Sequence, residues 1–382
     1  MEIPKPTPIQ NIIQRIDGED TANFLSNEIQ GSDFNSMMLH VYDKRSDRLV
    51  PADIYRQYSE NRFVKPATVD QRDLVRFDNL FLDTAPQDYV AVELSPTQPF
   101  AVNKVLAGTD QKLVLSSIRN TEVSADITTA LALESVVRRQ ALIDKDHLDR
   151  TMVKLCSCHR CMRAQQFDDE QGFTSHFRVV GMLSSYRRSQ NSFGYEMEQF
   201  SEHIDTYLNL LYQSKEMGCK FDGISVKFSD IRLMDSLITT FGLDRNFLRR
   251  NTQNQAISPF KLYDINLPST VSDIDDLDQV MASKYGLNDL LYVLKRTQEN
   301  ILKPLSAKFP DVNFVYDLER IAGIGYYNAL CFKISAVNTK GIEFPLSDGG
   351  TTDWNKKLLN NQKEWLLTSG FGSELYLKQF RV

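Results

Sequence analysis

Two hydrophobic periods alternate along this chain. Period-two or continuous apolar runs with β-branched and aromatic residues predict strands at SMMLHVYD (36–43), YVAVELS (89–95) and LVLSSIRN (113–120). Further strands are predicted at TMVKLCSCHRCMRAQ (151–165), HFRVVGMLSS (176–185), FDGISVKFS (221–229), NFVYDL (313–318), YYNALCFKISAV (326–337) and IEFPLSD (342–348). Three- and four-residue spacing predicts helices near Ile9–Ile16 and over 124–140, 195–217, 229–242, 288–303 and 355–370. Ser124 and Ser229 are the expected N-caps, Gly242 and Gly370 the expected stops, and Pro304 is expected to end its helix. The polar stretch 244–286 predicts loops and short helices. The strands at 151–165 and 176–185, joined by the acidic QFDDEQGFTS (166–175), predict a hairpin. Hairpins with helices between them predict an α+β fold, an antiparallel β-sheet flanked by helices, over a doubly wound parallel one.

Composition narrows the function classes. The chain has 382 residues, 42% hydrophobic and 25% charged, which is ordinary for a globular protein. Lys+Arg 44 against Asp+Glu 50 gives a net charge of −6, which argues against an extended nucleic-acid clamp. No apolar window is long enough to span a membrane, and the first ten residues, MEIPKPTPIQ, lack a signal pattern. Five cysteines, an odd number, predict free thiols and a cytoplasmic location.

Cys156, Cys158, His159 and Cys161 are metal-ligand residue types within six positions. They remain weak metal candidates, because no second ligand pair exists and strand geometry sends Cys156 and Cys158 to one face and His159 and Cys161 to the other. Phosphate-loop, zinc-protease, nucleophile-elbow and dinucleotide motifs are absent from the sequence. Glycine pairs fall in GIGYY (323–327), DGGTTD (348–353) and SGFGSE (369–374), each by itself an ordinary turn signal.

Their order and spacing resemble the catalytic core of histidyl-tRNA synthetase, a class II aminoacyl-tRNA synthetase. YDLERIAGIGYYNALCF (316–332) is similar to that family's D-P-x-x-x-R-G-L-D-Y-Y-T-G-x-x-F, with Asp317, Gly323, Tyr326, Tyr327 and Phe332 in register. DGGTTDW (348–354) resembles G-G-R-Y-D through Gly349, Gly350 and Asp353, and SGFGSEL (369–375) stands where the third class II motif would. With one inserted residue, Glu122, Ser124 and Ala125 fall on the family's R-P-E-G-T-A. The hairpin resembles the second motif, with MRAQ (162–165) in place of F-R-x-E and Phe177 on the return strand. The resemblance covers residues 110–382. It implies a variable N-terminal portion over 1–100 and a class II core over 101–382, with a helical segment about 190–310 embedded.

The departures bear on activity. Class II synthetases oppose the charge developing on ATP with arginines. Arg163 fills the hairpin position, with Arg160 an alternative, but Ala322 stands where the histidine-specific segment carries arginine, and Leu375 or Tyr376 where the third motif does. The positions that read imidazole become Val179, Leu183 and Thr352. The resemblance therefore implies a catalytically degenerate protein that binds a small amino-acid-like ligand. It would act as a regulatory or partner-binding subunit, in the manner of the regulatory subunit of ATP phosphoribosyltransferase. The binding residues it implies are Glu122, Ser124, Arg163, Gln165, Phe177, Val179, Leu183, Tyr326, Tyr327, Gly349, Gly350 and Asp353. A homodimer is expected. The family's anticodon-binding domain has no counterpart before Val382, so tRNA is not an expected partner. The alternative is an active adenylate-forming ligase that uses ATP and Mg, with Arg163 catalytic, on another amino acid and a non-tRNA acceptor. Simpler roles stand beside these: Glu122 as a helix-start carboxylate, Tyr326 and Tyr327 as strand aromatics, Arg163 as a surface cation, and Asp353 as a turn or cap residue.

Overall fold

The two long runs at 151–165 and 176–185 do pair as a hairpin, and the rest of the fold is built outward from it. A computed structural model describes residues 19–165, 173–250, 258–277 and 283–382. Its strands are β1 (Val90–Ala91), β2 (Thr97–Pro99), β3 (Thr121–Val123), β4 (Val153–Met162), β5 (His176–Arg187), β6 (Gly223–Asp230), β7 (Thr270–Val271), β8 (Val312–Asp317), β9 (Leu330–Val337), β10 (Glu343–Thr352) and β11 (Glu364–Phe371). Nine form one sheet in the order β1-β4-β5-β11-β10-β9-β6-β8-β7, while β2 and β3 pair separately. The β1–β4 and β6–β8 pairs are parallel and the other pairs antiparallel. The α+β expectation holds, with an open sheet flanked by helices.

The helices that cover the sheet are α1 (Gln71–Thr84), α2 (Ile127–Ile143), α3 (Phe193–Gln213) and α4 (Ser373–Phe380). One face packs on α1, α3 and α4, where Phe77 and Tyr207 each stack on Phe371 with ring centroids 5.8 Å apart. On that side His203 lies fully buried between the hydroxyls of Ser184 (3.1 Å) and Ser369 (2.7 Å), and burial pushes its pKa down to about 3. The other face packs on α2 through Ile127, Leu131, Leu155, Leu183 and Leu366. Arg139 of α2, fully buried, donates to both carboxylate oxygens of the equally buried Glu364 on β11 (3.0 and 3.2 Å).

Several elements differ from the sequence expectation. Residues 36–43 lie in a helix, Gly31–Ser46, and pair with no strand among the described residues. Residues 89–95 contribute only the two-residue β1, and 113–120 makes a helical turn and an isolated bridge before Asn120 turns the chain at φ 55°. The N-caps are Asp126 and Asp230, not Ser124 and Ser229, each accepting the N–H two residues on; Gly242 is the expected left-handed stop. Pro304 does not end its helix: a wide turn at Gln298–Leu302 leads into Lys303–Lys308, where proline occupies the first turn and no N–H is needed. The helix expected over 355–370 is only Trp354–Leu358; Asn360 at φ 46° breaks it, and Glu364–Phe371 becomes a central strand. The helix expected near Ile9–Ile16 lies outside the described residues.

Candidate functional site

The α2 face of the sheet carries most of the residues nominated from sequence, and the N-terminus of α2 organises them. Asp126 caps that helix by accepting from the Thr128 N–H at 2.9 Å. Its other oxygen accepts from the Tyr326 hydroxyl (3.1 Å) and faces Arg163 Nη2 (3.5 Å). Arg163 Nε donates to the Ala125 carbonyl (2.9 Å), and the guanidinium lies 5.4 Å from the Phe177 ring centre. Tyr326 packs edge-on to Tyr327 (4.8 Å) and to Trp354 (5.0 Å), and its hydroxyl also bonds that of Thr128. The Tyr327 hydroxyl donates to Asp348 Oδ1 at 3.0 Å. Burial, reinforced by Asp126 for one ring and Asp348 for the other, holds both phenols well above their ordinary pKa.

At the far end of this chain of contacts sits a cation that the sequence reading missed. Arg320 donates through Nη2 to both oxygens of Asp348 (2.7 and 2.9 Å), and its guanidinium carbon lies 5.7 Å from the Tyr327 ring centre. Its Nε donates to the Ala322 carbonyl (2.8 Å), so the arginine folds back over the position where the motif places one. Its side chain is 3% exposed, and its buried Nη1 has no partner among the described residues. Lys333 stands opposite Asp348 in the β9–β10 register; burial, then Arg320, pushes its pKa down. Burial pushes Asp317 up. Asp348 is in the DGGTTD motif, but only Gly349, Gly350 and Asp353 match the family there; Asp126 is an equally good cap two residues past Ser124.

The remaining nominated residues divide. Glu122 does not face an open site. Its fully buried carboxylate accepts from the Ala101 and Asn103 N–H groups (2.8 and 3.1 Å) and from the side chains of Asn103 and Gln111 (2.8 Å each). Four donors use its full acceptor capacity, leaving none for an ammonium. Burial raises its pKa, but the bonds from Gln111, Asn103 and Ala101 outweigh that and hold it below the ordinary value. Ser124 is fully buried and accepts from Gln98 Nε2 (2.8 Å). Val179, Leu183 and Phe177 join the apolar cluster under α2. Ile127 lies over the sheet there, its side chain 3.0 Å from where a Cβ on Gly181 would stand. Gly349 and Gly350 are packing positions: a Cβ would fall 2.5 Å from the Phe332 ring at the first and 2.6 Å from Cys331 Cβ at the second. Asp353 pairs with Lys357 (2.9 Å), and the Gln165 carbonyl accepts from Arg62 (2.7 Å). Arg160 is engaged on the α4 side, bonded to Glu374 (2.9 Å) and His176 (2.8 Å).

The cysteine cluster is divided between the two cores. Cys156 and Cys158 join the α1/α3/α4 side and Cys161 the α2 side, all three buried. Burial pushes Cys156 up to about 11 and Cys161 up to about 12, so both are thiols at neutral pH. Among the described residues no three His, Cys, Asp or Glu converge as a metal site.

An open, largely antiparallel sheet with helices on both faces gives the chain the fold of class II aminoacyl-tRNA synthetase cores of the histidyl type, as its likeness to solved structures shows. The chain is similar to an ATP phosphoribosyltransferase regulatory subunit/histidyl-tRNA synthetase from Bacillus halodurans, with TM-score 0.59 and 14% identity over 85% of this chain and 83% of that one. It is similar to histidyl-tRNA synthetase from Nostoc sp. PCC 7120, with TM-score 0.58 and 13% identity over 83% and 74%. A histidine–tRNA ligase subunit from Alicyclobacillus acidocaldarius gives 0.56 and 15% over 82% and 95%. No protein-family model and no curated protein matches the sequence.

Proposed function

We propose that this chain is a histidyl-tRNA synthetase-like protein that does not activate amino acids and works as a ligand-sensing or partner-binding regulatory subunit. The observation that carries this reading is that the charged groups at and beside the motif positions are bonded within the chain. Glu122 is saturated, Arg163 is held by Ala125 and Asp126, and Asp348 is occupied by Arg320 and Tyr327. Val179 and Leu183 lack the polar groups that would read imidazole, so histidine is a poor ligand. The ligand proposed is a smaller or more apolar amino-acid-like molecule. One structural neighbour is named in part as a regulatory subunit, which supports a protein partner. A homodimer and a cytoplasmic location complete the proposal. ATP–pyrophosphate exchange tested with each of the standard amino acids should show no turnover. Exchange that disappears in Arg163→Ala would overturn the reading.

One observation favours the alternative, an ATP-dependent ligase. Arg320 puts a guanidinium 5.7 Å from the Tyr327 ring centre, and its buried Nη1, without a partner among the described residues, is a donor of the kind that holds a phosphate oxygen. Arg163 and Arg320 would then hold ATP, while Asp348 and Asp126 are the carboxylates nearest to hand for Mg. Both carboxylates are already bonded within the chain, which weighs against this reading.

A further inference from the structure

A cavity of about 250 Å³ lies between α3, the turn Asn328–Leu330 and the adjoining ends of β10 and β11. None of the twelve residues nominated for binding lines it, and of the three positions compared with the imidazole-reading ones only Thr352 does. Phe193, Met197, Phe200 and Leu330 make one wall apolar. Thr351, Thr352 and Trp365 also line it, and Thr351 Oγ1, Thr352 Oγ1 and Trp365 Nε1 are buried without a partner among the described residues. These residues are 6%, 2% and 2% exposed. An unpaired buried polar group costs roughly 1–3 kcal/mol, so three at one cavity point to something that binds there. The indole N–H can only donate, and both hydroxyls can.

The charged lining has the matching sign. Arg188, Arg232 and Lys356 line the cavity against one carboxylate, Glu196. Arg188 is bonded to Glu196 (2.5 and 2.8 Å) and Arg232 to Asp230 (2.8 Å). Lys356 makes no ion pair among the described residues, and burial, then the Arg188 charge, pushes its pKa down. A neighbouring hollow shares Arg188 and adds Arg150, Arg187 and Lys363, which extends the positive field.

We propose that this cavity binds a small organic anion, a carboxylate or phosphate monoester on a compact apolar body. The body lies against Phe193, Met197 and Phe200, and the acid group turns to Lys356, the threonine hydroxyls and the indole N–H. The full chain is titrated calorimetrically with phenylacetate and, separately, phenyl phosphate, with phenethyl alcohol as the neutral control. At least one anion should bind about tenfold or more tightly than the alcohol, and the stronger of the two identifies the acid group. Lys356→Gln should weaken that binding about tenfold. Ala329→Leu, which fills the cavity, should abolish it with the melting temperature kept. Binding of the alcohol equal to that of the anions overturns the proposal. So does anion binding unchanged in both variants, or no anion binding up to about 10 mM by folded protein.

Discussion

Glu122 shows how a residue in the right motif position can have its chemistry committed elsewhere. Its neighbours Ala101, Asn103 and Gln111 present four donors to one buried carboxylate, tying the segment before α2 to β3. Glu122→Gln keeps the shape but turns an NH₂ towards donors. With at least two donors unpaired, the variant should lose about 2–4 kcal/mol in urea unfolding. The pH dependence has a definite sign. The folded-state pKa is below the ordinary value, so the unfolded chain takes up the proton first. The contribution is complete above about pH 4.3 and is lost as pH falls through the folded value, and Glu122→Gln should flatten that part of the stability profile. A Glu122 that served a ligand would instead leave stability nearly unchanged on substitution.

At the scale of elements, the hairpin β4–β5 was legible because its two runs are long, rich in β-branched and apolar residues and separated by a polar turn. The strand β11 was not. It lies between β5 and β10 with Glu364, Trp365, Leu366 and Leu367 all buried, so it has no polar face to give a period of two. Its continuous apolar run was absorbed into the short helix before it. The same limit applies to the site. Motif spacing located Tyr326 and Tyr327, but that Arg320 folds back over Ala322 depends on side-chain direction, which spacing does not carry. The ion pair between Arg139 and Glu364 shows what joins α2 to that hidden strand. Arg139→Met alone strands a buried carboxylate and should cost about 3–5 kcal/mol. Adding Glu364→Leu should recover most of that loss, as read by the urea midpoint of the three variants. A double variant as unstable as the single one would show that the pair's hydrogen bonds to the surrounding backbone, not the stranded charge, dominate.

At the scale of the whole molecule, the buried core and the most exposed apolar side chains are separated along the chain. The buried members of both hydrophobic clusters begin at Leu74 and run on through the sheet, its covering helices and the segment 231–309. The helices Gly31–Ser46 and Pro51–Glu60 bury no side chain, and Tyr42, Ile54, Tyr55 and Tyr58 are 54%, 54%, 75% and 51% exposed. Apolar side chains at such density on helices with no fully buried residue fit a role in association better than one in folding. Removing residues 1–60 should therefore leave the melting temperature within about 2 °C of the full chain, since elements with no fully buried side chain contribute little to global unfolding. If the regulatory reading holds, the same truncation should lower the apparent mass in light scattering or abolish capture of the partner protein. A large fall in melting temperature with the oligomeric state unchanged would place these helices in the folding unit instead.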